Sequence, residues 1–177
     1  MVRDGILGSV VKIEYLLKEA IAVFPDVLPD YTLDGLIQLN DGYDWTELEI
    51  VQQSSSLRAT FLADDRGERF ILAIPAVKSR IESAASELYR QLRHSKFILR
   101  VTDANEKVYI IGNENEYVDI EYNLGTGGSP EARSGYTLTF KMNTSEIPPY
   151  NETNTLPAGL SWNGALLVHK TKYLTDA

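Results

Sequence analysis

Hydrophobic and polar residues alternate in short runs along most of this chain, and only one segment departs clearly to helical spacing, so the pattern predicts antiparallel strands around a single helix. The first segment fits both periods. Val11, Ile13, Tyr15 and Leu17 alternate with Lys12, Glu14 and Lys18, and only Leu16 interrupts them; Ile13, Leu16, Leu17, Ala20, Ile21 and Phe24 also follow a helical stripe. A strand over about 10–17 agrees with the β character of the later segments, a helix over 10–24 is its alternative, and Pro25 and Pro29 end either. From Asp26 to Asp44 the chain reads as a long connection, with one turn of helix in LDGLIQL and a turn at NDG, residues 40–42. Glu47 to Gln52, Leu57 to Ala63 and Arg69 to Val77 are then strand-like. DDRGE joins the last two as a hairpin in which Gly67 is free to take a positive φ.

Between Ser79 and Arg93 the period changes. Ile81, Ala84, Ala85, Leu88 and Leu92 fall on one stripe, and Ser79 with Glu82 predicts an N-cap and capping box. Strand character resumes at Lys96 to Thr102, Lys107 to Gly112, Tyr117 to Tyr122 and Tyr136 to Met142, with DANE (103–106) turning the first pair. Leu124 to Gly135 is glycine-rich with little to bury, which predicts a mobile loop, and Ala165 to His169 is a last strand-like run. The sum is a mainly β fold: an antiparallel β-sandwich or partly closed barrel with one inserted α-helix near 79–93. Residues 1–150 form a single domain and 151–177 a C-terminal extension or arm.

Composition narrows the chemistry. At 177 residues with 44% hydrophobic positions, the chain can bury a core of its own. The absence of cysteine excludes disulfides, thiolate metal sites and cysteine nucleophiles. A net charge of -8 argues against direct nucleic-acid binding or an anionic membrane surface. Lys12 and Glu14 interrupt the amino-terminal apolar run, and no stretch reaches about 18 apolar residues, so the expectation is a chain made and folded in the cytoplasm with no membrane partner.

The two histidines, His94 and His169, stand in no metal-ligand spacing, and His94 is expected to finish the helix beside Arg93 and Lys96. There is no GxSxG elbow. LGTGGSPEARSG lacks the lysine of a phosphate loop, and Val108 replaces the glycine that a calcium loop starting at Asp103 and Asn105 requires. No catalysis, cofactor or metal is expected; a hydrolase using two of the 25 acidic residues is the least specific rival, since nothing selects the pair. DGYDW, with Tyr31 nearby, places aromatic faces beside carboxylates, so Tyr31, Tyr43 and Trp45 are candidate glycan-binding residues of an alternative carbohydrate-binding β module. Asn143 and Asn151 begin N-x-[ST] triplets, which read as accidental.

Charge is segregated. From Lys78 to Arg100 six basic residues (Lys78, Arg80, Arg90, Arg93, Lys96, Arg100) face two acidic ones (Glu82, Glu87); from Asp103 to Glu121 six acidic residues (Asp103, Glu106, Glu114, Glu116, Asp119, Glu121) face Lys107 alone. Either the two groups neutralise each other within one subunit, or they lie on different faces and join copies head to tail, as ring-forming contacts do. Arg80, Arg90, Arg93, Glu114, Glu116, Asp119 and Glu121 are the candidate interface residues.

ILRVTDANEKVYIIGNENEYVDIEYNLGTGG and RSGYTLTFKMNTSEIPPY, between residues 98 and 150, together with KIEYLL and FPDV earlier, resemble small virion structural proteins from phages and prophages of Bacteroidetes-type bacteria. Glu106 occupies the position after DAN where a glycine is expected. The resemblance implies a non-enzymatic tail, neck or head-tail connector component, located in the virion, that assembles as a symmetric ring-like homo-oligomer and with other virion proteins.

Overall fold

The computed structural model describes residues 9–30, 32–51, 54–64, 67–126 and 134–144. In chain order the elements are β1 (Val10–Leu17), a 3-10 turn (Lys18–Ala20), β2 (Ile21–Val23), β3 (Gln38–Leu39), β4 (Thr46–Leu48), β5 (Arg58–Asp64), β6 (Gly67–Ser79), α1 (Ser83–Arg93), β7 (Phe97–Asp103), β8 (Val108–Ile111), β9 (Asp119–Gly125) and β10 (Gly135–Thr144). Two antiparallel four-stranded sheets, ordered β4-β1-β7-β8 and β5-β6-β10-β9, account for most of them, and β2 pairs with β3. The sheets do not close into a barrel. Their facing sides share one core, so the fold is a sandwich: Ile13, Phe97, Leu99 and Val101 of the first sheet pack with Leu72, Ile74, Leu138 and Phe140 of the second.

The first segment is a strand, as its alternation indicates, and the helical alternative survives only as the 3-10 turn. A register shift between Val10 and Lys12 leaves Val11 exposed and sends Val10, Ile13, Tyr15 and Leu17 to the core. Leu16, which breaks the alternation, is buried on the other side of the sheet with Ile98, Ile110, Ala20 and Leu33. That outer face is covered by the 20–45 connection, in which LDGLIQL forms no helical turn. LDGLIQL instead supplies Leu33, bridged to Val27, and β3. Of the run Glu47 to Gln52, Gln52 lies outside the described residues and the strand covers Thr46–Leu48 and stops before residue 49, because the chain then crosses to the second sheet, with Val51 N–H donating to the Val77 carbonyl at 2.6 Å.

The β5–β6 hairpin forms, from Arg58 opposite Ala73 to Asp64 opposite Gly67, whose φ is 101°. The predicted helix starts late. β6 continues through Lys78 and Ser79, which pair with Tyr136 and Gly135, so Ser79 caps nothing. Glu82 is the N-cap residue, with no side-chain cap bond. The buried face is correspondingly Ala85, Tyr89 and Leu92, while Ile81 and Ala84 are exposed. β7 and β8 meet at the DANE turn, where Asp103 Oδ1 accepts from Asn105 N–H at 2.8 Å and Lys107 N–H at 2.9 Å. β9 and β10 extend into the glycine-rich loop as far as Gly125 opposite Gly135. Residues 127–133 of that loop, Asn151 and the run Ala165 to His169 lie outside the described residues.

Candidate interaction surfaces

Helix α1 packs against β9 on the core side of the second sheet, where the Tyr89 ring lies 5.8 Å from Tyr122 and 5.1 Å from Tyr136. Strand alternation then decides where the charges go. Ile120 and Tyr122 face the helix, so Asp119 and Glu121 project from the opposite side of the same strand. A sheet thus separates the helix cations Arg90 and Arg93 from the strand carboxylates. Arg80 stands in the turn between β6 and α1 with φ 72°, a left-handed backbone. Glu114 and Glu116 occupy the β8–β9 connection. Its shape is fixed by Asn113 Oδ1, which accepts from Asn115 and Glu116 N–H at 2.8 Å each, and by Tyr117 Oη donating to the Glu114 carbonyl.

Part of this charge is satisfied locally. Arg90 pairs with Glu87 at 2.7 Å on its own helix, and Glu121 pairs with Lys141 at 2.6 Å on β10. Among the described residues, no ion pair reaches Arg80, Arg93, Glu114, Glu116 or Asp119; Arg80 acts on Glu49 only at longer range. Two further cations of the basic segment are internal. Lys78 is buried where α1 leaves the sheet and binds the exposed Glu49 and, at 3.3 Å, Glu82. Burial disfavours its charge, but those two carboxylates outweigh it and hold the ammonium above the ordinary lysine range.

Arg100 is the other. On the outer face of the first sheet it lies directly across from Glu14, donating Nε to Oε2 at 2.7 Å and Nη2 to Oε1 at 2.6 Å. Exposures of 4% and 6% make this a buried, bidentate pair. Burial pushes the Glu14 carboxyl up, yet hydrogen bonds and charge from Arg100, then Lys12, prevail and hold it below the usual carboxylate range. Lys12 reaches Glu14 at 2.9 Å and Glu47 at 3.5 Å. Trp45 completes the lid, with its ring 4.6 Å from the Arg100 guanidinium.

That contact bears on the aromatic candidates. Trp45 is half-buried with one face against Arg100, Tyr43 is exposed, and Tyr31 lies outside the described residues, so the structure describes two of the three. Asp44 turns back to accept from the Trp45 N–H at 2.7 Å. Among the described residues, no group of His, Asp or Glu could hold a metal ion, and no helix is long and apolar enough to cross a membrane. His94 is the helix C-cap, its N–H donating to the Gln91 carbonyl at 3.0 Å. Compared with known protein families, curated proteins and solved structures, the chain matches none.

Sequence reasoning missed the Glu14–Arg100 pair, since its members are 86 residues apart. It predicted strand β5 but not that β5 lies at a sheet edge. There Ala59, Thr60, Phe61 and Ala63 are exposed, Phe61 at 51%, with its ring 5.4 Å from Phe70. The signal was present in ATFLA, five consecutive uncharged residues, in a strand that among the described residues has a hydrogen-bonded neighbour on one side.

Proposed function

We propose that this chain is a non-enzymatic assembly protein whose working parts are surfaces that meet other proteins. The setting suggested by its sequence resemblance is a phage virion, at the tail, neck or head-tail connector. The observation that supports the reading is the division, by the second sheet, of charge that has no ion-pair partner among the described residues: Arg80 and Arg93 on the helix side, Asp119 on the far side, with Glu114 and Glu116 in the adjoining connection. Charge left outside ion pairs on two sides of one body is the arrangement a head-to-tail contact uses, and repetition of that contact closes a ring. Arg90 and Glu121 belong to the same two sides but would exchange existing partners on joining it. Other virion proteins would meet the remaining faces of the ring.

Native mass spectrometry and sedimentation at low ionic strength test this. Oligomers larger than a dimer are expected, and they should dissociate as salt rises, because exposed charge contacts are screened beyond about 10 Å at 0.1 M. Arg93→Glu and Asp119→Lys should each disperse them, and the double reversal should restore them. Arg80→Gly separates assembly from folding: glycine accepts φ 72° without strain, so the fold should be at least as stable while the oligomer weakens. Monomers at every concentration, unchanged by salt or by these variants, would refute the head-to-tail contact.

A further inference from the structure

β5 is the outer strand of the second sheet, and its ladder shows which of its backbone groups are unused. Val77 donates to Ser54 Oγ at 3.2 Å and accepts from Val51 at 2.6 Å, so on β6 residue 77 bonds away from β10. The β6–β10 register runs without a shift from Ser79 to Phe70, and antiparallel ladders alternate by two, so residues 75, 73 and 71 face the same way. Pro75, lacking an N–H, therefore loses nothing: β5 begins at Arg58, opposite Ala73. Ala73 and Ile71 bond to Arg58 and Thr60. By the same alternation, the N–H and C=O groups of Ala59, Phe61 and Ala63 point outward along a row with no strand beside it among the described residues.

Natural sheets protect such an edge with charge, proline or a covering segment. Here positions 59–63 carry no charge and no proline, no strand among the described residues covers them, and charge appears only at the two ends, Arg58 and Asp64. That arrangement is self-complementary. We infer that β5 pairs antiparallel with β5 of a second copy about a two-fold axis at Phe61, joining two sheets into one of eight strands. In this register Ala59 exchanges both backbone bonds with Ala63 of the other copy, and the Phe61 residues are mutual partners. Arg58 stands opposite position 64, an aspartate, at both ends. The two Phe61 rings, each exposed on the side that carries Phe70, cover one another. The strand-like run Ala165 to His169 is the competing occupant, but it offers Arg58 no carboxylate. This contact is isologous and its centre is apolar, so it is distinct from the salt-sensitive head-to-tail contact proposed above.

Sedimentation of the full chain across a concentration series at about 0.5 M salt, where exposed charge contacts are screened, isolates it. A dimer is expected. Ala59→Pro removes an outward N–H without touching the β5–β6 ladder, once in each copy. It should weaken the dimer roughly thirtyfold, with circular dichroism and melting unchanged. Phe61→Lys, at an exposed position, should do likewise by a different route. The charge register is read at low salt: Arg58→Asp should weaken pairing, and Arg58→Asp combined with Asp64→Arg should restore it. The inference fails if the chain is monomeric throughout at high salt, if Ala59→Pro and Phe61→Lys dimerise as the parent does, or if the double charge exchange does not recover. It also fails if hydrogen exchange shows the Phe61 amide protected to the same degree at all concentrations, which would give the edge to the chain's own tail.

Discussion

Glu14 and Arg100 are worth more to each other than to the fold. A buried bidentate pair must offset the desolvation of both charges, so breaking it from one side and replacing it from both sides have different consequences. Glu14→Gln leaves the guanidinium without its counter-charge and is expected to lower stability by about 3–5 kcal/mol at neutral pH. Glu14→Met with Arg100→Leu should cost clearly less, as urea titrations would show. The pH dependence has a definite sign. Because the folded carboxyl sits below its ordinary value of 4.5, its contribution is complete above that pH and is lost as pH falls through the lower, folded-state value. The difference in melting temperature between parent and Glu14→Gln should therefore be constant near neutrality and shrink in acid. A second residue behaves more simply. Glu106 holds φ 64° in the DANE turn, and Glu106→Gly should raise stability by about 0.5–1 kcal/mol in the same titration. Its location was legible, since a turn after DAN asks for glycine. The ion pair was not, because nothing in the local sequence of Lys12–Glu14–Leu16 distinguishes a buried glutamate from a solvated one.

Elements were legible wherever one face is wet. β10 and β9 alternate cleanly, and the Gly67 hairpin announced itself through its turn. Misreadings fall where a second layer changes the rule. β1 buries Leu16 as well as Ile13 because the 20–45 connection covers the outer face of its sheet. The same covering turned LDGLIQL into a bridge and a short strand, since backbone lying on a sheet finds strand partners there more readily than it closes a lone helical turn. At the helix start, local capping chemistry lost to the ladder: Ser79 stays paired with Gly135. Ser79→Ala should accordingly change the melting temperature little, within about 0.5 kcal/mol of parent stability, rather than by the roughly 0.5–2 kcal/mol that loss of an N-cap brings. Gly135 is where that ladder is sensitive. A Cβ there would lie 2.2 Å from the Lys78 carbonyl oxygen, so Gly135→Ala must displace one of two paired strands and should destabilise by about 1–3 kcal/mol. The candidate charges were equally legible as residues. The sheet that divides them was not, because which side of β9 a carboxylate takes depends on where α1 docks.

At the scale of the whole molecule, the two sheets are held by side chains rather than by shared strands. Phe97 of the first meets Phe140 of the second edge to face at 6.5 Å, both essentially without solvent exposure. The chain also weaves between them. β1 needs β7 and β4 as neighbours, and β6 needs β10, so neither sheet is complete until most of the described chain is in place. A body built this way should unfold as one unit. Phe140→Ala removes a large aromatic contact between the layers and should cost about 3–5 kcal/mol, a large share of the roughly 5–15 kcal/mol typical of a domain. Because the loss is to the joint and not to one sheet, hydrogen exchange should speed up equally for amides of β10 and for Ile13 on β1 in the opposite sheet. If β1 kept its protection while β10 lost it, the layers would be separable, and an assembly contact on one sheet could then be made or broken without being felt by the other. Equal acceleration instead means that the β5 edge and the charged faces of α1 and β9 are carried by one rigid body, as repeated contacts of fixed geometry require.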